Sequence, residues 1–356
     1  MGIEFLINMM RRASGFSVCR RPLRSLLYVV SCIGAFMCGS LMTLMSVDPM
    51  SCDIHRCTEK IKRTDVEDTN SWLGMWGQNV KGPEKHVFLV IVILSAPNNV
   101  EHRDVIRQTW LSEEKSDTLH LFVVGTESLN ESINTTIQSE QKRFGDMMLL
   151  TNVIDSYEAL TRKLLAAFVY VHYNVKFRFF MKCDDDTFVQ IPQLHRELKS
   201  VPYKQRLYWG FFDGRATPKK KGPWKEAEWV LCDRYLPYAL GGGYVLSSDV
   251  VTFIATNSKY LKLYKNEDVS LGTWVAPLDL HRVHDPRFDT EYKSRGCNND
   301  YLVTHKQSTL HMREKFTSLK STSLLCREQF QVRKSYNYNW NVPPSQCCVR
   351  NDSSLP

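Results

Sequence analysis

Three consecutive aspartates, Asp184, Asp185 and Asp186, are candidates for a metal site. Neighbouring carboxylates raise one another's pKa unless a cation neutralises them. Carboxylate oxygens suit Mn²⁺ or Mg²⁺, and an ion held there would bridge a diphosphate and offset the charge of a leaving group. A solvated acidic turn is the alternative, but the mostly apolar segment 177–182 that leads into the triplet favours a metal site.

A second acidic pair, Glu267 and Asp268, precedes a short apolar segment. A carboxylate that faces an acceptor can take the proton of its hydroxyl group in the transition state. The alternative is a helix N-terminus with both acids in its first turn. The two interpretations are compatible, because the positive end of the helix dipole keeps a carboxylate ionised.

Basic and imidazole side chains supply further candidates. Arg103 and Arg107 are four residues apart on a predicted helix, so one face would present two guanidinium groups to phosphates. Solvated surface arginines are the alternative. His305 and His311 occur late in the chain, and either would complete a metal shell. The lysines at 219–221 fit a solvated loop or the attraction of an anionic acceptor.

The elements that would position these side chains alternate along the chain. Apolar, β-branched segments predict buried strands, and helical spacing of apolar residues predicts helices. This order predicts an α/β fold with a central, mostly parallel sheet, in which ligands bind at the carboxyl ends of the strands. No GxGxxG follows the first strand, which argues against a dinucleotide enzyme. The strands are predicted at 86–95, 119–125, 147–150 and 177–182, and the helices at 99–110, 127–144 and 156–173.

The second half of the chain is rich in aromatic residues around a glycine run. Trp209, Tyr235 and Tyr238 accompany three consecutive glycines at 241–243. Aromatic side chains beside glycine suit a concave site that faces a sugar or another flat polar ligand. Ordinary core packing and turns are the alternative interpretation.

The N-terminal region predicts a membrane anchor. Residues 26–47 contain no charged side chain and are long enough, at about 1.5 Å per residue, to span a hydrocarbon core of ~30 Å. Five arginines precede this segment, so the positive-inside rule puts residues 1–25 in the cytosol and the remaining chain on the opposite side. A cleaved signal peptide has a shorter apolar region, of roughly 7–15 residues. Residues 48–85, polar and rich in lysine, are predicted to form a stem.

The composition excludes several classes of protein. With 43% hydrophobic and 24% charged residues, the chain is globular rather than disordered or collagen-like. The net charge is +8, and residues 1–25 supply half of it through five arginines against one glutamate. The small remaining excess does not indicate a nucleic-acid partner, and no zinc-finger or helix-turn-helix signature occurs.

Two features agree with an oxidising, luminal compartment. Asn130, Asn134 and Asn351 each begin a glycosylation sequon, and all three follow the predicted anchor. The cysteines beyond the anchor form an even set that suits disulfides, although their pairing cannot be read from sequence. They are Cys52, Cys57, Cys183, Cys232, Cys297, Cys326, Cys347 and Cys348.

Five segments, in this order, resemble the β-1,3-glycosyltransferases that include the β-1,3-galactosyltransferases and the Fringe-type enzymes. Each segment alone is weak evidence for this resemblance, but the occurrence of all five in this order within residues 86–315 is specific for the family. Two later segments, 295–308 and 343–348, narrow the resemblance to the members that build the linkage region of proteoglycans. The five segments are 103–110 (RDVIRQTW), 155–163 (DSYEALTRK), 182–189 (KCDDDTFV), 235–244 (YLPYALGGGY) and 267–269 (EDV).

The resemblance implies a fold and an activity. The fold is a GT-A domain over residues 86–318, followed by a cysteine-containing tail at 319–356. The implied donor is UDP-galactose, the implied cofactor is Mn²⁺, and the implied acceptor is the 3-hydroxyl of galactose in galactosyl-xylosyl-serine, with inversion at the transferred carbon. Together with the predicted anchor, the resemblance implies a single-pass type II protein of the Golgi membrane with its catalytic domain in the lumen.

The resemblance also implies roles for particular residues. Asp268 is the implied catalytic base, Asp186 is the implied metal ligand, and His305 is our choice for a further ligand. Ala159 stands where many relatives have asparagine, for which we expect the loss of one hydrogen bond at most. The donor-binding residues are expected to be Ser95, Arg103, Arg107, Asp184 and Asp185, and the acceptor-binding residues Trp209, Tyr238, Gly242, Gly243 and Glu267.

Three other functions stay open at this point. A β-1,3-N-acetylhexosaminyltransferase would share these motifs, because the choice of donor depends on the shape of the pocket. A membrane-anchored lectin would keep the fold without catalysis, although Asp186 and Asp268 argue against it. A metal-dependent phosphohydrolase would use the aspartate cluster without requiring an acceptor.

Overall fold

A computed structural model describes residues 85–202 and 204–356. The predicted cytosolic tail, the predicted anchor and nearly all of the predicted stem lie outside the described residues, as do Cys52 and Cys57. Within the described ranges, no helix is both long enough and apolar enough to cross a bilayer.

The longer strands build one central sheet. The strands of the described residues are β1 (Lys85–His86), β2 (Leu89–Leu94), β3 (Thr118–Gly125), β4 (Met147–Leu150), β5 (Val175–Lys176), β6 (Phe179–Asp184), β7 (Phe188–Val189), β8 (Leu207–Asp213), β9 (Tyr238–Ser247), β10 (His281–His284), β11 (Phe288–Asp289), β12 (Gly296–Cys297), β13 (Val303–Thr304) and β14 (Phe330–Gln331). Seven of them form a sheet in the order β10-β8-β9-β6-β2-β3-β4. The sheet is parallel from β6 to β4 and between β8 and β10, whereas β9 is antiparallel to both of its neighbours. The α/β fold with a mostly parallel central sheet agrees with the prediction.

Helices alternate with these strands along the chain. The α-helices of the described residues are α1 (Val100–Gln108), α2 (Glu131–Phe144), α3 (Leu160–Asn174), α4 (Ile191–Ser200), α5 (Ser248–Thr256), α6 (Glu267–Trp274) and α7 (Thr309–Thr322). The predicted helix at 127–144 begins later, because Oδ1 of Asn130 accepts a hydrogen bond from the backbone N–H of Ile133 (2.9 Å) and caps α2. The same helix ends at Phe144 and is followed by Gly145, whose φ of 66° suits glycine.

The apolar core explains the sequence pattern of the first strand. All six residues of β2 are buried, because β3 and β6 flank the strand and α3 contacts it. A strand covered on both faces reads as a continuous apolar run rather than as an alternating one. Helix α3 also packs against α5 and α6, so burial of its apolar face fixes α6 beside the sheet.

A small sheet brings a late part of the chain to the acidic triplet. Strand β7 begins two residues after Asp186, and β13 pairs with it in antiparallel register, with Thr304 opposite Phe188. The residue after Thr304 is His305, so this register places the imidazole beside the turn that carries Asp186.

The C-terminal segment belongs to the same folded body. The predicted domain boundary between residues 318 and 319 falls inside α7, so it does not mark the end of an element. Beyond α7, the hydroxyl of Tyr336 donates to the backbone oxygen of Phe212 in β8 (2.9 Å). The segment predicted as a tail therefore packs onto the central sheet.

The cysteines of the described ranges are only partly paired. Disulfides join Cys297 to Cys326 and Cys347 to Cys348. Cys183 is free and buried in β6, and Cys232 is free and exposed. The prediction that the even set serves disulfides is wrong for Cys183, whose thiol is a core group.

Candidate active site

A cleft with a volume of about 690 Å³ opens at the carboxyl end of β6. One part of its wall carries the acidic candidates and the glycine run, and another carries arginine and aromatic side chains. The first part consists of Tyr157, Leu160, Asp184, Tyr238, Gly241, Gly242, Asn266, Glu267, Asp268 and His305, and the second includes Arg215, Trp224, Tyr292, Arg333 and Arg350. The predicted base and the predicted metal cluster thus meet in one cavity.

Asp184, Asp186 and His305 form a cluster of three potential metal ligands. Each offers one ligand atom, and these atoms lie within 4.8 Å of one another. Nε2 of His305 is 2.9 Å from Oδ1 of Asp186 and 3.3 Å from Oδ2 of Asp184. His311, the other late histidine, is exposed in α7, so the structure favours His305 over it.

The cluster fits a divalent cation. Oδ1 of Asp186 and both ring nitrogens of His305 are buried, and none has a hydrogen-bond partner among the described residues. Nε2 of His305 and Oδ1 of Asp186 are therefore within ion-pair distance, but their geometry is not that of a hydrogen bond. Two carboxylates and an imidazole are a donor set that Mn²⁺ accepts, and an ion between them would satisfy Oδ1 of Asp186 and Nε2 of His305.

The pKa values of the clustered groups are set by burial and by the charges of their close neighbours. Burial lowers the pKa of His305, but the carboxylates of Asp184 and Asp186 outweigh burial and raise that pKa to about 9. Burial raises the pKa of Asp184, but Lys182 and His305 outweigh it and hold the pKa well below its usual value. Asp184 and Asp186, whose pKa is also lowered by His305, therefore stay ionised as metal ligands must be, whereas His305 has to lose its proton when a cation binds.

Gly242 is required by the close approach of His305. A Cβ atom at Gly242 would lie 2.5 Å from Cγ of the imidazole, a separation that real side chains do not show. Gly242 lines the cleft, and its predicted part in acceptor binding stays a prediction. Its backbone also helps to hold the acidic turn, since Oγ1 of Thr187 donates to the carbonyl of Gly242 (2.8 Å).

Lys182 connects the metal cluster to the helix that carries the predicted base. Its buried Nζ donates to Oδ1 of Asp184 (2.8 Å), to Oε1 of Glu267 (2.7 Å) and to the carbonyl oxygen of Gly241 (2.6 Å). Burial lowers the pKa of Lys182, but the two carboxylates outweigh it and raise the pKa above its usual value. The sequence analysis assigned no role to Lys182. A lysine within an otherwise apolar strand was the signal that could have identified it.

Asp268 lies in the first turn of α6 with both carboxylate oxygens oriented by backbone groups. Oδ2 accepts a hydrogen bond from the N–H of Gly241 (3.1 Å), and Oδ1 accepts one from the N–H of Val269 (2.8 Å). Burial and the neighbouring charge of Glu267 raise the pKa of Asp268 to about 7, although Lys182 opposes them. A carboxyl group with this pKa is suited to accept a proton near neutral pH.

Asp185 points to a different part of the site from its two neighbours. Oδ2 of Asp185 accepts a hydrogen bond from Nδ2 of Asn99 (2.8 Å), at the start of α1. Burial raises the pKa of this carboxyl group. Leu94 of β2 is paired with Asp184 of β6, so the two strands end side by side. Ser95 and Asp185 therefore follow adjacent strand ends, where ligands bind in α/β sheets.

The structure corrects the prediction for the two arginines of α1. The guanidinium of Arg103 is fully buried, and its N–H groups bond to Glu140, to the hydroxyl of Ser95 and to two backbone carbonyls. Arg107 pairs with Glu140, Asp146 and Asp104. Both side chains therefore join α1 to neighbouring elements, and their donors are occupied rather than offered to a phosphate.

Two predicted acceptor-binding residues lie in the core. Trp209 is 4% exposed, and its indole N–H donates to Oδ2 of Asp285 (3.0 Å). Gly243 is covered by Val303, whose Cγ1 would lie 2.8 Å from a Cβ at that position. The prediction is wrong for both, because β8 and β9 are buried on both faces over most of their length and these two positions pack into the core.

The other predicted acceptor-binding residues lie in the cleft wall. Tyr238 and Glu267 both line the cleft, although each is mostly buried. One carboxylate oxygen of Glu267 is already engaged by Lys182. Of the lysines at 219–221, all three are exposed and only Lys219 lies at the edge of the cleft.

The segment 155–163 forms hydrogen bonds to two elements that carry site residues. Nζ of the buried Lys163 donates to Oδ2 of Asp155 (2.7 Å) and to the carbonyl of Ser95 (2.7 Å). The hydroxyl of Tyr157 donates to Oδ1 of Asn266 (3.0 Å), just before α6. The segment therefore connects the end of β2 to the helix that carries Asp268. The sequence analysis identified this segment only as a motif of the resemblance and did not predict these contacts.

The three sequon asparagines are exposed. Asn130 and Asn134 lie at the start of α2, and Asn351 lies in the C-terminal segment. Exposure is the condition that glycosylation of an asparagine requires.

Comparison with known proteins gives one family and several relatives. A family model described as Galactosyltransferase matches residues 101–286. The chain is 48% identical over 276 residues to beta-1,3-galactosyltransferase 6 of Mus musculus, a match that covers 76% of this chain and 85% of the relative. It is 34% identical over 244 residues to hydroxyproline O-galactosyltransferase GALT6 of Arabidopsis thaliana, covering 65% of this chain but only 34% of that relative.

A solved structure is also similar, at low identity. The mannosyltransferase PcManGT from Pyrobaculum calidifontis, in complex with GDP-Man and Mn²⁺, is 7% identical with a TM-score of 0.35, and the match covers 60% of this chain and 59% of that one.

Proposed function

The chain belongs to the galactosyltransferase family, and we propose that it is an inverting, Mn²⁺-dependent β-1,3-galactosyltransferase that uses UDP-galactose. The observation that carries this proposal is that Asp184 and His305 line the same cleft as Asp268. We propose the galactosyl-xylosyl-serine linker of proteoglycans as the acceptor. The segments 295–308 and 343–348 support that choice by resemblance, and the name of the mouse relative agrees with β-1,3 transfer of galactose.

The metal-binding part of the proposal rests on three residues. Asp184, Asp186 and His305 would hold Mn²⁺, which when bound offsets negative charge on the departing diphosphate. Lys182 forms an ion pair with Oδ1 of Asp184, the oxygen that does not face His305. Its positive charge compensates the negative charge of this carboxylate. Gly242 leaves the space that the imidazole occupies.

Asp268 is the proposed catalytic base. The N–H groups of Gly241 and Val269 fix the orientation of its carboxylate. As the acceptor oxygen bonds to C1 of the donor sugar, its proton passes to Asp268, and the bond between C1 and the diphosphate oxygen breaks on the opposite face. Attack on an α-linked donor from that face gives a β-linked product. General base catalysis typically contributes ~10²–10⁴-fold in rate.

The cellular location is part of the same proposal. We place the protein in the Golgi membrane, anchored by residues 26–47 with its catalytic part in the lumen. The arginines before that segment and the exposed sequons after it support this orientation.

The decisive experiment is a transfer assay with the full chain in detergent. With UDP-galactose, Mn²⁺ and a β-galactosyl-xyloside, we expect release of UDP and a β-1,3-linked trisaccharide. Asp268→Asn should fold, bind UDP and transfer ~10²–10⁴-fold more slowly. Near-normal turnover by this variant would refute the assignment of the base.

The same assay separates the alternative functions. Preferential use of UDP-N-acetylglucosamine or UDP-N-acetylgalactosamine would replace the proposed donor. Binding of the acceptor without UDP release would identify a lectin. Release of free phosphate from simple esters without an acceptor would identify a phosphohydrolase.

A further inference from the structure

One end of the cleft has no part in the proposed metal and base chemistry. This end carries Arg215, Trp224, Tyr292, Arg333 and Arg350, which come from two loops and the C-terminal segment. It shares the cavity of about 690 Å³ with Asp268, a volume near the middle of the range of small-molecule sites. A ligand whose hydroxyl group reaches Asp268 can therefore extend toward this end.

Two exposed aromatic rings dominate this end of the cleft. The ring of Trp224 lies 4.9 Å from that of Tyr292, at an interplanar angle of 82°. Trp224 is 39% exposed and Tyr292 is 65% exposed. Large aromatic side chains that stay accessible inside a concave site are typical of ligand contact, because burial elsewhere would be more favourable.

Ion pairs hold the exposed tyrosine in place. Its neighbour Glu291 is 7% exposed. The carboxylate of Glu291 receives Nη2 of Arg333 (2.7 Å), Nη1 of Arg350 (3.2 Å) and Nη1 of Arg295 (3.3 Å). Three guanidinium groups on one carboxylate fix the backbone beside Tyr292, so its ring is positioned before a ligand arrives.

Two arginines of the same wall supply hydrogen-bond donors. Nε of Arg215 and Nε of Arg333 are buried, and neither bonds to any residue in the described part of the chain. These buried Nε atoms are out of reach of a ligand, but both side chains line the cleft, and a guanidinium group carries further N–H donors. An aromatic face combined with guanidinium donors matches a sugar ring, which has an apolar C–H face and hydroxyl oxygens at its rim.

We propose that Trp224 and Tyr292 form a subsite for the second sugar of the acceptor, the ring that follows the reacting sugar. This inference rests on the proposed function, since it assumes that the ligand at Asp268 is a glycan. The ring would lie against the aromatic pair, with Arg215 and Arg333 donating to its hydroxyl groups. The subsite would make the enzyme prefer a disaccharide acceptor to a monosaccharide.

The test compares binding of two acceptors to the full chain with UDP and Mn²⁺ present. The acceptors are methyl β-galactoside and a methyl β-galactosyl-xyloside, measured by titration calorimetry. We expect Trp224→Ala and Tyr292→Ala each to weaken disaccharide binding about tenfold, which corresponds to ~1.4 kcal/mol. Binding of the monosaccharide and of UDP should not change. Tyr260→Ala is the matched control, because Tyr260 is 75% exposed and lies apart from the cleft wall.

Several results would overturn the inference. One is an unchanged disaccharide Kd in both variants, and another is an equal loss for both acceptors, which would indicate a general effect on the wall. A wild-type protein that binds the two acceptors equally would also refute it. Transfer rates measured on the same samples test the proposed function separately: if the pair binds the disaccharide but no galactose is transferred, the subsite stands and the proposed reaction fails.

Discussion

The ammonium group of Lys182 donates to Oε1 of Glu267 across 2.7 Å, and this ion pair ties β6 to the N-terminus of α6. The lysine side chain is fully buried, and the glutamate side chain is 7% exposed. Because Lys182 also holds Asp184, and because Asp268 directly follows Glu267, one lysine links the metal cluster to the proposed base. This buried cation is therefore one of the contacts that set the distance between the two halves of the site, together with the bonds from Gly241 to Asp268 and from Tyr157 to Asn266.

Removal of that cation should destabilise the protein. Lys182→Met leaves Glu267 and one oxygen of Asp184 without their counter-ion, for which we expect a loss of roughly 3–5 kcal/mol in the free energy of unfolding. In a double-mutant cycle with Glu267→Gln, the loss should be smaller than the sum of the single losses by ~0.5–3 kcal/mol. Urea denaturation followed by circular dichroism measures all four values.

An exposed ion pair provides the control for this cycle. Lys262 pairs with Glu228 where both side chains are mostly exposed, so Lys262→Met should change the free energy of unfolding by less than about 1 kcal/mol. Strictly additive losses at Lys182 and Glu267 would contradict the proposed coupling.

The pH dependence of transfer should report Asp268. A proton acceptor must be ionised, and burial together with Glu267 raises the pKa of Asp268 to about 7. Since the protonated form prevails below that pKa, kcat/KM should fall tenfold per pH unit below about 7 and level off above it. The measurement is an initial-rate series at saturating Mn²⁺. The slow residual rate of Asp268→Asn should lack this acidic limb, and a midpoint below about 5, near that of an ordinary aspartate, would count against the assignment.

The metal cluster predicts a difference between two histidines of the same chain. His305→Ala removes one of three clustered ligands, so the Mn²⁺ concentration needed for UDP binding should rise at least about tenfold. His311→Ala should leave it unchanged, because His311 is exposed at the start of α7. Calorimetric titration of UDP at graded Mn²⁺ concentrations distinguishes the two variants. An equal metal requirement in both would remove His305 from the site.

Much of the fold was predictable because local sequence and tertiary burial agree. The continuous apolar run of β2 already implied a strand covered on both faces, and the acidic triplet after β6 implied a site at the edge of the sheet. The proximity of His305 was not predictable from spacing. It depends on the pairing of β13 with β7, two-residue strands that are more than one hundred residues apart in sequence.

The errors have a shared physical cause. Helical spacing correctly put Arg103 and Arg107 on one face, but spacing does not tell whether that face meets solvent, a ligand or another element. Helix α2 supplies Glu140 to both arginines, a long-range partner that sequence does not reveal. Trp209 was misassigned for a similar reason, since an aromatic residue in an apolar strand is compatible with either a binding surface or the core.

Arg103 should therefore affect stability rather than donor binding. Arg103→Met removes the buried partner of Glu140 and the bonds to Ser95 and two backbone carbonyls, so the free energy of unfolding should fall by roughly 3–5 kcal/mol. The Kd for UDP with Mn²⁺, measured where the variant is fully folded, should equal that of the wild type. Glu140→Gln serves as a second variant, because it weakens the same network from α2 without altering Arg103. A raised Kd for UDP in Arg103→Met with unchanged stability would restore the phosphate-binding role that the buried network argues against.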